Sequence, residues 1–320
     1  MTDHAFITGG AGFVGSHLAD RLLALGHRVT VYDNLSTGLV EFLDDARKRP
    51  GFTFVKGDLL DGGALAKAIK GCDIVYHLAA NADVRFGLQH PKKDFEQNTL
   101  ATFNLLEAMR VTGVGRIAFA STGSIYGESV VIPTPEDAPF PVQTSLYGAS
   151  KLAGEGLIAA YCEGFGFQSW LFRFVSILGE RYTHGHVYDF YRMLRQDPTK
   201  LHVLGDGRQK KSYLYVADCV AAILTAVERA KDKVNVFNLG AEEYLEVDQS
   251  IATITAHLGL SPRRTYGGGE RGWIGDSPFI FLDTRRIRAL GWVPQVDLRQ
   301  SIVRTVDWLK ANAWIYERRT

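Results

Sequence analysis

The chain has 320 residues, 46% of them hydrophobic, and its 36 lysines and arginines nearly balance its 35 aspartates and glutamates. This length can bury a substantial core, and the balanced charge, without a long basic run, argues against a nucleic-acid partner. No apolar stretch approaches the roughly 18 to 20 residues of a membrane span, and the first residues enter a strand-like run directly. We therefore expect no signal peptide, no membrane partner and a cytoplasmic location. The three cysteines lack CxxC spacing, so we expect buried thiols and no metal site.

Strand-like and helical patterns alternate along the first 175 residues. Short runs rich in β-branched and aromatic residues predict strands, and amphipathic runs between them predict helices. Such alternation is typical of right-handed βαβ units and of a parallel sheet with helices on both faces, which is an α/β fold. The predicted strands cover 5–8, 28–33, 52–58, 73–79, 116–121 and 170–175, and the predicted helices include 13–25, 62–70, 94–111 and 147–163.

The alternation loosens after about residue 175, where loop-rich segments appear. These are "GERYTHGH" (179–186), "LGDGRQKKS" (204–212) and "YGGGERGWIGDSP" (266–278), while "VNVFNLG" (234–240) predicts one more strand of the sheet. Loops that follow a rigid sheet commonly choose the substrate. We therefore predict a larger domain over 1–175, rejoined by about 213–240, and a smaller substrate-binding domain formed by 176–212 and 241–320.

A glycine-rich turn follows the first predicted strand. Gly9, Gly12 and Gly15 lie between that strand and the next helix, where missing side chains let the backbone approach a pyrophosphate and the helix N-terminus supplies free N–H groups. The second strand ends at Asp33, whose carboxylate can accept both ribose hydroxyls of a dinucleotide and would repel a 2′-phosphate. These features predict a Rossmann-type domain that binds NAD rather than NADP. The alternative for Asp33 is a solvated residue that begins the next turn.

Two further strand ends fit the same cofactor. Asp58, after the third predicted strand, is placed either to reach an adenine amino group or to cap the helix that follows. The fourth strand ends in the small residues of "YHLAAN" (76–81), which suit a backbone that passes close to a cofactor.

The segment "TSLYGASK" places Tyr147 and Lys151 four residues apart on one helix face. A phenol with a pKa near 10 is a poor base at neutral pH, but an adjacent ammonium favours the phenolate and lowers that pKa. Since this helix follows the fifth strand of a dinucleotide-binding pattern, we predict that Tyr147 is a catalytic acid and base. The preceding segment 121–127 contains neither carboxylate nor cysteine and supplies the hydroxyls of Ser121, Thr122, Ser124 and Tyr126.

Together these motifs resemble the extended short-chain dehydrogenase/reductase family of nucleotide-sugar enzymes. The similarity covers almost the whole chain and includes "LFRFVSILGERY" and "VLGDGRQKKSYLYVADCV" in its second half. Within the family, "VIPTPEDAP", "GERYTHGHVYDFYRMLR" and "RGWIGD" are most similar to UDP-galactose 4-epimerases. The resemblance implies tightly bound NAD, a UDP-sugar substrate and a homodimer formed through paired helices around 98–111 and 147–163.

The resemblance also implies roles for individual residues. Tyr147 would exchange the proton of the sugar 4-hydroxyl, Thr122 would hydrogen-bond the same oxygen, and Lys151 would hold the nicotinamide ribose and lower the pKa of Tyr147. The implied cofactor contacts are Gly9, Gly12, Phe13, Val14, Gly15, Asp33, Asn34, Ser36, Thr37, Gly38, Asp58, Leu59, Leu78, Ala79, Ala80, Asn98, Ser121, Tyr147, Lys151 and Phe174. The implied substrate contacts are Thr122, Ser124, Tyr147, Ser176, His186, Val187, Tyr213 and Asp276. In addition, His202, Val203 and Leu204 would flank the base, and Lys211 and Arg271 would bind the diphosphate. Asn98 and the substrate contacts keep a packing or surface alternative.

The segment 121–127 discriminates between the reactions of the family. Members that eliminate water place an Asp-Glu pair directly after the catalytic Thr, and members that decarboxylate a uronic acid keep the Glu, since these reactions need further acid–base groups. The corresponding positions here are Gly123 and Ser124. Reductive epimerases use Cys and His, and the segment has no Cys. Of the reactions in the family, the one that fits this segment is removal and return of a hydride at one carbon. We therefore predict 4-epimerisation of a UDP-sugar of the UDP-glucose/UDP-galactose type through a 4-keto intermediate.

At three positions the sequence differs from the epimerase pattern, and these differences leave the identity of the nucleotide sugar open. Ser176 stands where many epimerases have Asn, Lys211 stands in place of an Arg, and Ala82 stands in place of a Lys. The alternatives are therefore epimerases of a UDP-N-acetylhexosamine, a UDP-uronate or another nucleotide sugar. A keto-sugar reductase of the same family and a non-catalytic dinucleotide sensor also remain open, although the intact catalytic set disfavours the sensor.

Overall fold

The computed structural model describes residues 3–81, 89–139, 142–272 and 279–318. The strands are β1 (His4–Thr8), β2 (Arg28–Asp33), β3 (Phe52–Lys56), β4 (Ile74–His77), β5 (Arg116–Thr122), β6 (Gln168–Phe174), β7 (Ser176–Leu178), β8 (Lys200–Val203), β9 (Lys210–Lys211), β10 (Tyr213–Tyr215), β11 (Val234–Leu239), β12 (Leu245–Glu246), β13 (Arg263–Tyr266) and β14 (Phe279–Ile280). The α-helices are α1 (Phe13–Ala24), α2 (Asp44–Arg47), α3 (Gly62–Ile69), α4 (Pro91–Asp94), α5 (Ala101–Thr112), α6 (Leu146–Phe165), α7 (His186–Gln196), α8 (Val216–Arg229), α9 (Val247–Leu258), α10 (Arg285–Ala289) and α11 (Leu298–Ala311). Shorter turns are the 3₁₀ turns Val40–Leu43, Gly123–Tyr126 and Ala313–Tyr316 and the π turn Phe95–Leu100.

Seven strands form one parallel sheet in the order β3-β2-β1-β4-β5-β6-β11. The strand order reverses between β1 and β4, so the carboxyl ends of these two strands border the crevice in which doubly wound sheets bind their ligands. The predicted α/β, Rossmann-type fold is confirmed. The run predicted over 234–240 joins the sheet as its edge strand β11, next to β6.

Helices cover both faces of this sheet. On one face α1 and α8 contribute the fully or almost fully buried Leu18 and Val220, and on the other face α3, α5 and α6 contribute Leu65, Leu105 and Ile158. A third apolar core lies among α7, α9 and α11 and the short strands between them. Helices therefore pack on both faces of the sheet, and the loops that can bind ligands lie at the carboxyl ends of its strands.

The helix predicted over 94–111 is interrupted. The structure has the short helix α4, then the π turn Phe95–Leu100, and then α5 from Ala101. A π turn widens the backbone by one residue and is frequent at functional sites. Asn98, the buried residue of this turn, hydrogen-bonds groups outside the helix. The other boundaries lie within two residues of the predicted ones.

The loop-rich second half forms three small sheets. Strand β7 pairs with β10, β9 lies between β12 and β14, and β8 pairs with β13. The segments predicted as loops over 204–212 and 266–278 thus contain or border short strands that long-range pairing stabilises. Among the described residues, no helix combines the length and apolar character that crossing a membrane requires.

Candidate active site

The turn after β1 approaches its neighbours too closely for side chains. Gly9 has a positive φ of 68°, and a Cβ there would lie 2.6 Å from the backbone nitrogen of Ala79. A Cβ on Gly15 would lie 2.3 Å from the carbonyl oxygen of Gly9. Real Cβ atoms do not make such contacts, so both positions require glycine. The result is a bare backbone cradle at the crevice between β1 and β4.

The N-terminus of α1 opens into this cradle. Gly12 is the N-cap, and the first intrahelical hydrogen bond runs from the nitrogen of Ser16 to the carbonyl oxygen of Gly12. The amides of Phe13 and Val14 precede that bond, and the positive end of the helix dipole lies with them. Free amides beside bare glycine backbone fit the pyrophosphate of NAD.

Asp33 lies at the end of β2 and is 8% exposed. Its Oδ2 accepts a hydrogen bond from the nitrogen of Ala11 at 2.9 Å, and its Oδ1 accepts one from the nitrogen of Leu35 at 2.8 Å. Burial raises the pKa of this carboxyl, and the two backbone bonds oppose that effect. Each oxygen retains a lone pair for a ribose hydroxyl. The alternative of a solvated Asp33 is wrong, because the carboxyl is packed between the turn after β1 and the loop after β2, where a Cβ on Gly38 would lie 3.0 Å from both of its oxygens.

Asp58 does not cap the following helix, so that alternative is wrong. Its Oδ2 accepts a hydrogen bond from Asn34 Nδ2 at 3.0 Å, and its Oδ1 accepts one from the nitrogen of Leu60 at 2.9 Å. The cap of α3 is Asp61, which accepts a bond from the nitrogen of Ala64 at 3.0 Å. Because Asp61 takes the cap position, Asp58 lies beside Asn34 after the end of β3, where the adenine contact was predicted.

The other predicted cofactor contacts surround the same crevice. Ser36 and Thr37 are exposed in the turn after β2, and Leu59 is buried after β3. Leu78, Ala79 and Ala80 are partly exposed at the end of β4, as is Phe174 at the end of β6.

The carboxyl end of β5 continues directly into the turn Gly123–Tyr126. Thr122 Oγ1 accepts a hydrogen bond from the nitrogen of Ser124 at 3.1 Å and so caps this turn. The Thr122 hydroxyl also lies close enough to the phenol of Tyr147 to lower its pKa. The structure therefore brings the two predicted catalytic hydroxyls together at the mouth of the crevice.

The start of α6 abuts this segment. Ser145 is the N-cap, and its Oγ accepts a hydrogen bond from the nitrogen of Gly148 at 3.0 Å. A Cβ on Gly148 would lie 2.9 Å from the carbonyl oxygen of Ser124, so glycine is needed for the helix to come this close. Tyr147 is the second residue of α6, where the positive end of the helix dipole favours a phenolate.

In the chain alone, Lys151 is not among the causes that shift the pKa of Tyr147, and its effect in the NAD complex stays a prediction. Burial raises the pKa of Tyr147 to about 12, its hydrogen bond to the threonine opposes that effect, and the charge of Asp94 adds to it. Burial also lowers the pKa of Lys151 to about 7. The Lys151 side chain is 1% exposed, its Nζ donates to the carbonyl oxygen of Ala120 at 2.9 Å, and it lies 4.7 Å from the ring centre of Phe119. The ammonium is thus desolvated and directed at a backbone carbonyl rather than at the phenol.

Ser121 and Asn98 use their side chains within the protein. The Ser121 hydroxyl donates to Glu155 Oε1, which leaves the backbone of Ser121 for the predicted cofactor contact. Asn98 Oδ1 accepts a hydrogen bond from the nitrogen of Asn81 at 2.8 Å, and its Nδ2 donates to Ser150 Oγ at 2.9 Å. In this structure Asn98 is therefore a polar residue satisfied by the protein itself, which is the alternative to a cofactor contact.

Four predicted substrate residues form one cluster beyond β6. Ser176 and Tyr213 are register partners in the β7–β10 pair, and the ring of His186 stacks on that of Tyr213 at 4.7 Å. His186 Nε2 lies 2.7 Å from Ser250 Oγ. Burial lowers the pKa of His186 to about 3, with a contribution from the charge of Lys211. A neutral imidazole at the N-terminus of α7 beside a lysine suits an anionic group such as a diphosphate.

The side chains of Val187 and Val203 are buried, so a contact of these residues with the substrate stays a prediction. Both are 0% exposed and belong to the third apolar core, because β8 alternates and α7 turns its apolar face inward. His202 in β8 and Leu204 directly after it are exposed, and His202 Nδ1 lies 3.2 Å from Thr265 Oγ1.

Arg271 forms an ion pair with Glu128, which follows the catalytic segment directly. This pair connects the loop after β13 to the loop after β5. Asp276 and Ala82 lie outside the described residues.

Sequence reasoning missed the charged residues behind the site. Glu155 and Arg173 form a buried ion pair, and Asp94 is 1% exposed near Tyr147. Two signals could have revealed the pair: Glu155 lies four residues after Lys151 on the same helix, and Arg173 interrupts an apolar strand, where a charge is rarely buried without a partner.

Known proteins match this chain over nearly its whole length. A model of the NAD dependent epimerase/dehydratase family matches residues 5–240. The UDP-glucose 4-epimerase of Mycolicibacterium smegmatis is 33% identical over 318 residues, which are 95% of this chain and 97% of that protein. A crystal structure of a UDP-galactose 4-epimerase has a TM-score of 0.87 and 37% identity, with coverage of 97% of this chain and 100% of that one. A mutant UDP-glucuronic acid 4-epimerase from Bacillus cereus, solved with a fluorinated UDP-glucuronic acid and NAD, has a TM-score of 0.89 and 26% identity, with coverage of 96% and 99%.

These similarities agree with the glycine cradle, with Asp33 and with the Thr122–Tyr147 contact. The chain therefore belongs to the NAD-dependent epimerase/dehydratase family, as an extended short-chain dehydrogenase/reductase of the nucleotide-sugar epimerase type.

Proposed function

We propose that the protein catalyses NAD-dependent 4-epimerisation of a UDP-sugar of the UDP-glucose/UDP-galactose type through a transient 4-keto sugar. The observation that carries this proposal is the contact between Thr122 and Tyr147 at the end of β5, with Lys151 buried one helical turn away. A sugar hydroxyl placed against both side chains can exchange its proton there while its carbon gives up a hydride.

Each residue of this set has a separate task. Tyr147 takes the proton of the sugar 4-hydroxyl and later returns it, and the N-terminus of α6 favours the phenolate between these events. Thr122 hydrogen-bonds the same sugar oxygen. Lys151 holds the nicotinamide ribose and, as a cation, favours the phenolate. NAD, when bound, supplies the hydride acceptor and donor for C4.

Inversion at C4 requires the ketone to present its other face. The sugar can turn about its bond to the diphosphate while the cluster of Ser176, His186, Lys211 and Tyr213 holds the diphosphate end. The cofactor is oxidised again when the hydride returns, so no net redox change occurs. We therefore propose that NAD stays tightly bound.

The catalytic segment also supports this reaction over elimination or decarboxylation. A Cβ on Gly123 would lie 3.0 Å from Ile280 Cγ2 and 3.2 Å from the carbonyl oxygen of Phe174. A side chain at this position would require these neighbours to shift by a few tenths of an ångström. The close packing at Gly123 therefore disfavours the first acid of the dehydratase pair.

We also propose a homodimer formed through α5 and α6. Phe103 and Phe165, on these two helices, are 42% and 54% exposed, and Phe95 in the preceding π turn is 57% exposed. Large apolar side chains at such exposure favour association. The cytoplasmic location and the two-domain division stay predictions.

Epimerisation without added cofactor tests the proposal. Purified protein is incubated separately with UDP-glucose, UDP-N-acetylglucosamine and UDP-glucuronate, and the products are followed by NMR. We expect the 4-epimer from UDP-glucose and none from a Tyr147→Phe variant. An epimer from one of the other sugars alone would move the substrate to that alternative. Absence of any epimer, or a requirement for added reduced cofactor with net reduction, would contradict the proposal.

A further inference from the structure

A buried ion pair joins α6 to β6 behind the catalytic segment 121–127. Arg173 Nη2 donates to Glu155 Oε2 at 2.8 Å and Arg173 Nε donates to Glu155 Oε1 at 3.1 Å. The two side chains are 5% and 6% exposed. A bidentate pair of this kind fixes orientation as well as distance, so the positions of the helix and the strand are coupled.

The same pair holds both ends of the catalytic segment. At its start, the Ser121 hydroxyl donates to Glu155 Oε1. At its far end, Arg173 Nη1 donates to Tyr126 Oη at 2.6 Å, and the guanidinium lies 5.0 Å from the Tyr126 ring centre. Thr122 lies between these two contacts, so the ion pair helps to fix its position.

Glu155 also lies one turn beyond Lys151 on α6. Side chains four residues apart on a helix have Cβ atoms about 5 to 6 Å apart. Lys151 is 1% exposed, and a buried ammonium needs a compensating negative charge. The charge of Glu155 raises the pKa of Lys151 against the effect of burial. The cationic nicotinamide of NAD would make this compensation more important.

We propose that Glu155 and Arg173 are positioning residues for the reaction: the pair fixes Thr122 against Tyr147, and the Glu155 carboxylate balances the charge of the buried Lys151 ammonium. The inference rests on the proposed function, in which Lys151 must be a cation to support the phenolate. Neither residue needs to touch the sugar or the cofactor for this role.

Other titratable groups near Lys151 do not replace Glu155. His77 on β4 has its pKa lowered to about 3 by burial, so it is neutral at working pH. Asp94 on α4 acts on Tyr147, whose pKa it raises, and its Oδ1 accepts a hydrogen bond from Asn81 Nδ2 at 2.8 Å. The groups that face Lys151 or its partners are therefore Tyr147 and Glu155 on α6, His77 on β4, Asp94 on α4 and Arg173 on β6.

The pH dependence of kcat tests the proposal with a Glu155→Gln variant. Turnover needs Tyr147 deprotonated and Lys151 protonated, so the profile is bell-shaped and belongs to the coupled pair. Because the pKa of Lys151 lies below that of Tyr147, the acid limb follows Lys151 and the alkaline limb follows Tyr147. Loss of the Glu155 charge lowers the pKa of Lys151, so we expect the acid limb to move to lower pH by about one unit or more and the plateau of kcat to fall about tenfold. The KM for the UDP-sugar should stay within about threefold, because neither residue touches the nucleotide sugar. A fall in kcat with an unmoved acid limb would overturn the proposal.

Two further variants guard against a folding artefact. Glu155→Gln leaves Arg173 buried without its carboxylate, whereas Glu155→Met with Arg173→Met replaces the pair by apolar side chains, which buried ion pairs often tolerate. If the double variant keeps its Tm, it should still show the shifted limb. Glu155→Asp keeps the charge and should restore the wild-type acid limb. An unshifted double variant would contradict the electrostatic role.

A direct titration separates this proposal from the proposed function. The ¹³Cε resonance of Lys151, assigned with a Lys151→Met variant, reports its pKa in the intact protein without any substrate. We expect a lower pKa in Glu155→Gln than in wild type. If wild type epimerises no UDP-sugar but the titration shifts, the function fails and the electrostatic role stands. An unshifted titration overturns that role whatever the activity.

Discussion

The cofactor side of the crevice is built from backbone, and the nucleotide-sugar side is built from side chains. On the cofactor side, Gly9 and Gly15 let strands and helix meet at distances that exclude a Cβ, and Asp33 is fixed by two backbone amides. On the sugar side, His186 stacks on Tyr213, and Arg271 forms an ion pair with Glu128. The first arrangement allows few substitutions, whereas the second can change residue by residue.

Because of this difference, substrate specificity can change more easily than cofactor binding. A cradle of bare backbone binds the same pyrophosphate in any relative, because no side chain takes part. Contacts made by side chains on separate loops can be exchanged without disturbing the sheet. We therefore expect mutations on the cofactor side to remove function outright and mutations on the sugar side to change affinity by degrees.

The largest expected effect comes from Tyr147→Phe. Loss of a general acid and base costs about 10² to 10⁴ in rate, so kcat should fall by at least that range. NAD content of the purified variant should match wild type, because the cradle keeps its backbone contacts. Tyr161→Phe on the same helix is the control and should retain most of the activity, since its hydroxyl bonds Glu107 away from the crevice. Substantial turnover by Tyr147→Phe would refute its role.

Gly15→Ala should damage the cofactor side next most strongly. Its Cβ would lie 2.3 Å from a backbone oxygen that cannot move aside, so we expect loss of bound NAD. Strain of this kind costs about 1 to 3 kcal/mol in the free energy of unfolding. Gly156→Ala, an exposed position on α6 with nothing within 4 Å, should stabilise the protein by about 0.5 to 1 kcal/mol. Differential scanning calorimetry and NAD absorbance measure both effects, and normal NAD content in Gly15→Ala would contradict the cradle.

Lys211→Ala should weaken the sugar side without affecting NAD. A hydrogen bond to a charged group contributes about 1.5 to 3 kcal/mol, so the Kd for UDP should rise about 10- to 100-fold. Lys210→Ala is the matched control, because its ammonium lies over the rings of Tyr244 and Phe279 and neighbouring residues of a strand face opposite sides. Isothermal titration calorimetry with UDP measures both variants. Equal losses in the two would show that Lys211 has no special place at the diphosphate.

The smallest expected effect has the opposite sign. If Arg271 binds the diphosphate as predicted, its ion pair with Glu128 must open first, so Glu128→Gln should tighten UDP binding by about two- to fivefold, the size of an exposed ion pair. The gain should shrink at high salt, because exposed charges are screened. Glu242→Gln, which breaks a similar exposed pair with Arg288, should leave the Kd unchanged. Weaker UDP binding in Glu128→Gln would mean that the pair orients Arg271 for the ligand.

The cofactor side could be predicted from sequence because its signals are local. A glycine triplet after one strand and an acid at the end of the next lie within one βαβ unit, and the Tyr147–Lys151 spacing belongs to one helix. The parallel sheet followed from the same alternation, including the edge strand β11.

The sugar side and the burial of the catalytic residues depend on contacts between distant parts of the chain. His186 meets Ser250 across 64 positions, and Val203 became a core residue through the pairing of β8 with β13. The rise in the pKa of Tyr147 in the chain alone could not be predicted, because spacing does not reveal burial. Lys151 bonds a strand carbonyl that only the packing of α6 on β5 brings near it.

The most direct test of the proposed epimerisation follows the hydrogen at C4 of the sugar. UDP-glucose deuterated at C4 is incubated with the protein in ordinary water, and the epimer is analysed by NMR and mass spectrometry. Hydride removal and return at one carbon predicts that the deuterium is retained at C4 of the product. Loss of the deuterium to solvent would show that C4 exchanges a proton, and it would contradict the reaction proposed for Thr122, Tyr147 and Lys151.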